Sequence, residues 1–448
     1  MPGIKSAKSK PAGMSDNNQH SATEKREQPV SRLRRFLRAL GPGIITGAAD
    51  DDPSGIGTYT TAGASFGFAT LWTAVLTFPL MAVVQYLCAK IGLVCGMGLA
   101  GVLRKHYSKK LLYPAVTGLV IANTINAGAD IGAIAAALNL LIPIPTVVML
   151  VPIALIIMFV QIWGSYRLIS RVFKWLALTL FAYIGAAILA KPPWGAVLRA
   201  TFVPHFRSDG RYLVTLVAIL GTTISPYLFF WEASQEVEEE IKLGRKTVSE
   251  REGATYAELR SAQWDTNIGM FFCNLVFYFV ILAAAATLHV SGKTDVQSAA
   301  QAAEALRPLA GSAASLLFAL GLIGSGFLAV PVLTGSCAYA VSEALGLECS
   351  LNDKPREARG FYSIIAISTL IGLLMNFTGI NAIAALFWTA VINGLISPPL
   401  LAVIMLVSSN RKIMGKNVNG LAANICGWSA TALMFAAAIG MILTWKEQ

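Results

Sequence analysis

Between Gly41 and about Ser65 runs an apolar segment long enough to cross a bilayer, and in its middle stand Asp50-Asp51-Asp52-Pro53-Ser54-Gly55. At about 1.5 Å per residue, Asp52 lies roughly 16 Å along the helix from Gly41, which is mid-membrane depth. Carboxylates at that depth are costly and mark function. Pro53 removes a backbone donor, and Gly55 frees the chain to unwind. Unwound backbone is tolerated there only where protein buries it or it lines an aqueous cavity. The segment therefore belongs inside a bundle. Acidic side chains and freed carbonyls at the midplane describe a cation site. The plainer alternative is a structural kink whose acids face a neighbouring helix.

The rest of the chain fits an all-α integral membrane protein. It is 55% hydrophobic and 13% charged, with mean hydropathy +0.61. Eleven spans are predicted, at about Gly41–Ser65, Thr70–Gly96, Pro114–Leu141, Thr146–Ile162, Val172–Ala190, Leu213–Trp231, Ile268–Leu288, Leu316–Leu345, Ser363–Phe377, Ala382–Val407 and Ile425–Trp445. Of the 35 Lys and Arg residues, 27 fall on the segments that share a side with the N-terminus and seven on the other. That asymmetry places the N-terminus in the cytoplasm of a multi-pass inner-membrane protein and the C-terminus outside.

The net charge of +11 is spread between spans, so it points to the lipid bilayer as partner and not to nucleic acid. Residues 1–38 read as a disordered basic tail with no signal peptide. Six cysteines without a CxxC pair predict neither a disulfide nor a Cys metal cluster. There is no P-loop, nucleophile triad or metal-hydrolase spacing, which argues against an enzyme, an ATP-driven pump and any bound cofactor. The expected unit is a monomer.

A second break lies half a chain away. Leu220-Gly-Thr-Thr-Ile-Ser-Pro-Tyr-Leu-Phe-Phe-Trp-Glu232 places Pro226 mid-span after Thr222, Thr223 and Ser225. If the fold is five helices plus five with one extra, spans one and six are corresponding helices. Paired interrupted helices in two halves point to a secondary-transporter site at the midplane. The expected division is residues 39–190 as the first repeat, 191–212 as an outer loop, 213–408 as the second repeat, and 409–448 as an inner loop with helix 11.

With these residues in view, the chain resembles the NRAMP divalent-metal transporters over nearly everything after residue 38. Gly41-Pro42-Gly43, Asp52-Pro53 and Ala62-Gly63-Ala64-Ser65-Phe66-Gly67 are similar to the family's first helix. Gln85, Ala89-Lys90, Gly92 and Gly96 resemble its second, Ala137-Leu138-Asn139-Leu140-Leu141 the end of its third, Asn274 with the following alanine-rich run its seventh, and Arg411 to Gly415 the inner loop after its tenth. The resemblance implies the LeuT-type inverted-repeat fold, with helices 1 and 6 broken, and import of divalent metal by alternating access.

The departures from the family pattern carry their own chemistry. Asp-Pro-Gly-Asn has become Asp52-Pro53-Ser54-Gly55, so the amide ligand is lost. Met-Pro-His has become Ser225-Pro226-Tyr227, so a hydroxyl replaces the thioether and a phenol the imidazole. A second family histidine falls on Glu232. The acid pair of the third helix falls on Ala127 and Asp130.

A thioether favours transition metals over Mg²⁺ and Ca²⁺. Its loss leaves oxygen: Asp52, Ser225, the Thr222 carbonyl, Asn274 and, beside them, Asp51. Mg²⁺ is usually held by one or two carboxylates through retained waters. The expected cargo is Mg²⁺ and Mn²⁺, as in the NRAMP-related magnesium transporters. The rival reading is an ordinary proton-coupled Mn²⁺/Fe²⁺ importer. None of His20, His106, His205 and His289 falls inside a predicted span, so transport without proton coupling is expected. A proton route would need Asp130, Glu232 or Asp51; Asp130, Glu232 and Tyr227 are the candidates for an inner vestibule or proton path. Asp130 could instead pair with Lys90, and Thr389 and Asn393 could face the pocket or simply pack. Glu236, Glu238, Glu239 and Glu240 read as a solvated inner loop.

Overall fold

In the computed structural model of the protein, the described residues are 42–163, 178–207, 209–347, 350, 351 and 354–444. The basic tail, Arg167, Arg171, Lys174, the start of the fifth expected span and Cys349 lie outside them. Regular structure among the described residues is entirely helical.

The first span is two helices, α1 (Pro42–Asp50) and α2 (Pro53–Phe66), separated at Asp51 and Asp52. Then follow α3 (Trp72–Cys95), a short α4 (Leu99–His106), α5 (Lys109–Leu141) and α6 (Thr146–Trp163). The end of the fifth span is α7 (Ala182–Leu189), and α8 (Trp194–Phe202) fills the loop before the sixth. The sixth span is again two helices, α9 (Gly210–Thr223) and α10 (Pro226–Lys242). The remaining spans are α11 (Tyr256–Ala284), α12 (Ala314–Leu345), α13 (Arg359–Met375), α14 (Ala382–Ser408) and α15 (Leu421–Thr444). Shorter helical turns are left unnumbered.

Nine stretches among the described residues are helical, long and apolar enough to cross a membrane. The two further expected spans are the first, whose halves are each short, and the fifth, described only in part. The ninth reaches back to Arg359, which gives it the length its sequence core lacked.

Burial sorts the helices into centre and rim. On α6, Val147, Val148, Val151, Leu155, Ile156 and Phe159 are exposed, as are Ile367, Leu370, Ile371 and Leu374 on α13. In water such faces would be penalised at about 25 cal/mol per Å². Against lipid tails, as apolar as leucine, they are not. The four half-helices of spans one and six lie in the interior: α1 and α2 pack on α11, α9 on α14, and α10 on α3 and α12. Glycines bring those backbones together. A Cβ on Gly47 of α1 would meet the Gly269 carbonyl oxygen of α11 at 2.4 Å, and one on Gly221 of α9 would meet the Ala390 oxygen of α14 at 2.1 Å. Neither position has room for a side chain.

The acidic run after span six is not a solvated loop. α10 continues through it, and Glu236, Glu238 and Glu240 are buried. Glu238 accepts from Tyr339 Oη at 2.7 Å, the Leu351 amide at 3.0 Å and Ser350 Oγ at 3.1 Å. Glu240 pairs with Arg245 at 2.9 Å. Glu238 and Glu240 fasten the C-terminal end of α10 to its surroundings.

Candidate cation site at the paired breaks

The two breaks share one construction. Asp52 (φ −69°, ψ 165°) and Ser225 (φ −83°, ψ 133°) are single extended residues, each followed by a proline at the first position of the next helix. Proline is suited to that position because its missing N–H is one the helix cannot use. The cost of each interruption is a set of carbonyls at the end of α1 and α9 without helical partners.

Asp52 caps α2. Its Oδ1 accepts from the Gly55 amide and from Ser54 Oγ, both at 2.7 Å, and its Oδ2 accepts from Asn126 Nδ2 of α5 at 2.9 Å. The side chain is 1% exposed. A Cβ on Gly55 would lie 3.1 Å from Thr222 Oγ1 and 3.4 Å from Asp52 Oδ1. Position 55 therefore faces the gap between the two breaks, and Thr222 borders the same point from α9.

On the α10 side the hydroxyls turn onto backbone. Ser225 Oγ donates to the Thr222 carbonyl at 2.8 Å and lies 3.1 Å from that of Gly221. Tyr227 Oη donates to the Ala49 carbonyl at 2.9 Å, which satisfies one of the acceptors freed at the end of α1. The residues that replace thioether and imidazole thus occupy break carbonyls.

The structure brings Asp52, Thr222, Tyr227 and Asp130 to the break, and Asp51 stands beside Asp52 with one carboxylate oxygen unpartnered. Asn274 is elsewhere: its Oδ1 faces Thr77 Oγ1 of α3 at 3.5 Å. The register of α11 instead presents Cys273, whose thiol donates to Asp50 Oδ2 at 2.9 Å. Glu232 lies roughly 10 Å beyond Ser225 along α10, at about 1.5 Å per residue. It accepts from Thr46 Oγ1, while Asp265 of α11 accepts from the Gly43 amide at 2.7 Å. Both acids hold α1 in place.

Lys90 reaches Asn419 Oδ1 at 2.6 Å, so the alternative pairing with Asp130 is not formed. Thr389 donates to the Ala385 carbonyl, and Asn393 is buried with both amide atoms unpartnered. His289 sits just beyond α11 with Nδ1 2.7 Å from the Ala64 carbonyl, and His106 and His205 lie on α4 and in the loop before α9.

Asn126 is the contact to Asp52 that residue-by-residue reading missed. Its signal was an amide one helical turn before Asp130 in a run of small residues. Among the described residues no group of three or more His, Cys, Asp and Glu is arranged around one point as a metal cluster would be. At the break Asp52 has both carboxylate oxygens partnered, whereas Asp51 and Asp130 keep unpartnered ones.

Known proteins with this arrangement are found by sequence and by fold. The profile of the family described as natural resistance-associated macrophage protein-like, Nramp, matches residues 43–444. A divalent metal cation transporter MntH of Brucella suis is 26% identical over 422 residues, 93% of this chain and 89% of the relative. One from Listeria innocua is 27% identical over 408 residues, 89% of this chain and 87% of the relative. The Eremococcus coleocola manganese transporter superposes with a TM-score of 0.72 at 19% identity, covering 93% of this chain and 88% of that one. The nucleobase-cation-symport-1 family transporter Mhp1 superposes with a TM-score of 0.56 at 14% identity, over 91% of this chain and 93% of that one. The fold is the LeuT type, with its broken first and sixth helices. A profile that runs through both breaks to the end of α15 settles the kinship: this chain belongs to the Nramp family.

Proposed function

We propose that the protein imports divalent metal cations across the inner membrane by alternating access, with Mg²⁺ and Mn²⁺ as cargo and without proton coupling. The observation that carries this reading is Asp52: a buried carboxylate that caps a helix break at mid-span, bordered by oxygen donors and by no thioether. A hard cation needs oxygen ligands, and Mg²⁺ keeps several waters, so a site trimmed of protein ligands suits it. The sulfur nearest this region, Cys273, is engaged with Asp50. The relatives' description as divalent metal cation transporters supports the class of cargo, and the family and fold speak for a transporter over an enzyme.

A second reading is a proton-coupled importer of Mn²⁺ and Fe²⁺. It is favoured by the manganese transporter among the structural neighbours. The two separate in proteoliposomes loaded with a pH-sensitive dye and offered Mg²⁺ or Mn²⁺. Entry of both ions at constant internal pH is expected. Entry of Mn²⁺ with rejection of Mg²⁺ would decide for the second reading.

A further inference from the structure

The α10 side of the break has donors on its carbonyls: the Ser225 and Tyr227 hydroxyls reach those of Thr222 and Ala49. The α5 side differs. Asn126 and Asp130 are four residues apart, so they share one face of α5, and both are 0% exposed. Asn126 Nδ2 donates to Asp52 Oδ2, which fixes the orientation of its amide: the oxygen cannot turn towards a carboxylate. Asn126 Oδ1 is then left without a partner, and so are both oxygens of Asp130. Asp130 stands within electrostatic reach of Asp52, with the Ser54 N–H to its side but outside hydrogen-bond geometry. Buried acceptors with no donor are rare and costly, and here three of them share the face of α5 that meets Asp52 through Asn126.

We infer that α5 supplies the missing half of the cation site: the ion sits between Asp52 and α5, ligated by the Asp52 and Asp130 carboxylates and by Asn126 Oδ1. This rests on the reading of Asp52 as the cation's carboxylate. The amide absent from position 55 reappears at position 126, on the opposite side of Asp52. The charge also balances. One carboxylate would leave a divalent ion with net buried charge, and two neutralise it. Two carboxylates, one amide oxygen and retained waters form a hard-ligand set of the kind Mg²⁺ accepts.

The test is calorimetric titration of Mg²⁺ and Mn²⁺ into the purified full-length protein. Asn126→Ala and Asp130→Asn should weaken binding by at least about tenfold, since loss of even an outer partner of a metal ligand costs about ten- to a hundredfold. Asn126→Asp keeps an oxygen but loses the N–H given to Asp52; it should bind within a few-fold of wild type. A purely structural role for Asn126 predicts the reverse, with Asn126→Asp as weak as Asn126→Ala. Should an Asn126 variant fail to fold, Asp130→Asn decides, because it keeps the shape of the side chain and removes a buried charge. Wild-type affinity in Asp130→Asn together with lost binding in Asp52→Asn would overturn the α5 ligands and leave the reading of Asp52 standing. Unchanged binding in Asp52→Asn would remove that reading itself.

Discussion

The hydroxyl of Tyr227, one residue into α10, closes on the carbonyl of Ala49 at 2.9 Å and so ties the second half of span six to the first half of span one. A cation that used the Ala49 carbonyl would compete with that hydroxyl for the electron density of the same oxygen. The contact therefore stabilises the ion-free arrangement at the expense of the ion-bound one.

Tyr227→Phe tests this. Removing the hydroxyl leaves a buried carbonyl unpaired, at a cost of about 1–3 kcal/mol to the ion-free protein. The melting temperature without metal should fall. Saturating Mg²⁺ or Mn²⁺ should recover more of it than in wild type, with several-fold tighter binding. Equal metal-induced shifts in the two proteins would show that the Ala49 carbonyl takes no part.

Asp52 has two roles that separate in magnitude. As the cap of α2 it contributes about 1 kcal/mol, the usual cost of replacing such a residue by alanine. As the carboxylate proposed to hold the cation, it should be indispensable to uptake. Asp52→Ala should fold, melt slightly earlier and fail to take up divalent cations. Undiminished Mg²⁺ and Mn²⁺ uptake by folded Asp52→Ala would remove the central claim.

Selectivity is predicted to follow the ligands placed at positions 55 and 225. Ser225→Met restores a thioether and also releases the Thr222 carbonyl that the serine covers. Gly55→Asn points an amide between Thr222 and Asp52, where the added Cβ has contacts of 3.1 and 3.4 Å. Together they should raise uptake of Mn²⁺ and Cd²⁺ relative to Mg²⁺. The larger side chain at the buried position 225 should cost about 1–3 kcal/mol of stability. Competition uptake with labelled Mn²⁺ against Mg²⁺ reads the shift directly, and an unchanged ratio in the double variant would show that these positions do not set preference.

The breaks at Pro53 and Pro226 were legible in the sequence because each proline stands among small polar residues in corresponding spans, one of them beside three aspartates; Pro79, Pro152 and Pro331, which lack that setting, lie inside continuous helices. Nine of the eleven expected spans are long apolar helices among the described residues, legible because hydropathy dominates their composition. What was not legible depended on rotation about helix axes. Asn274 and Cys273 are neighbours on α11, and a turn of about 100° between them decides which meets α1. Asn126 reads as one more small polar residue until the register of α5 aims it at Asp52. Glu236, Glu238 and Glu240 carry the composition of a loop. Glu238 is held by long-range partners, Tyr339 and Leu351, that no local pattern announces, and Glu240 by the nearby Arg245.

Coupling is the last prediction. Asp130 is the acid on α5 nearest the break, Ala127 stands where the family has another, and the described histidines lie away from both breaks. Glu232, which could carry a proton inward, accepts a hydrogen bond from Thr46 and serves to hold α1. Transport should then follow the metal gradient and the membrane potential. A divalent ion entering alone at −100 mV gains about 4.6 kcal/mol, twice the roughly 2.3 kcal/mol per elementary charge, so voltage alone can drive uptake. Liposomes with a pH-sensitive dye inside, and potassium with valinomycin setting the voltage, should show Mg²⁺ and Mn²⁺ entry that rises with negative internal potential at constant internal pH. Acidification that tracks metal entry and disappears in Glu232→Gln, with entry itself retained, would demonstrate a proton route through α10 and sink the uncoupled mechanism.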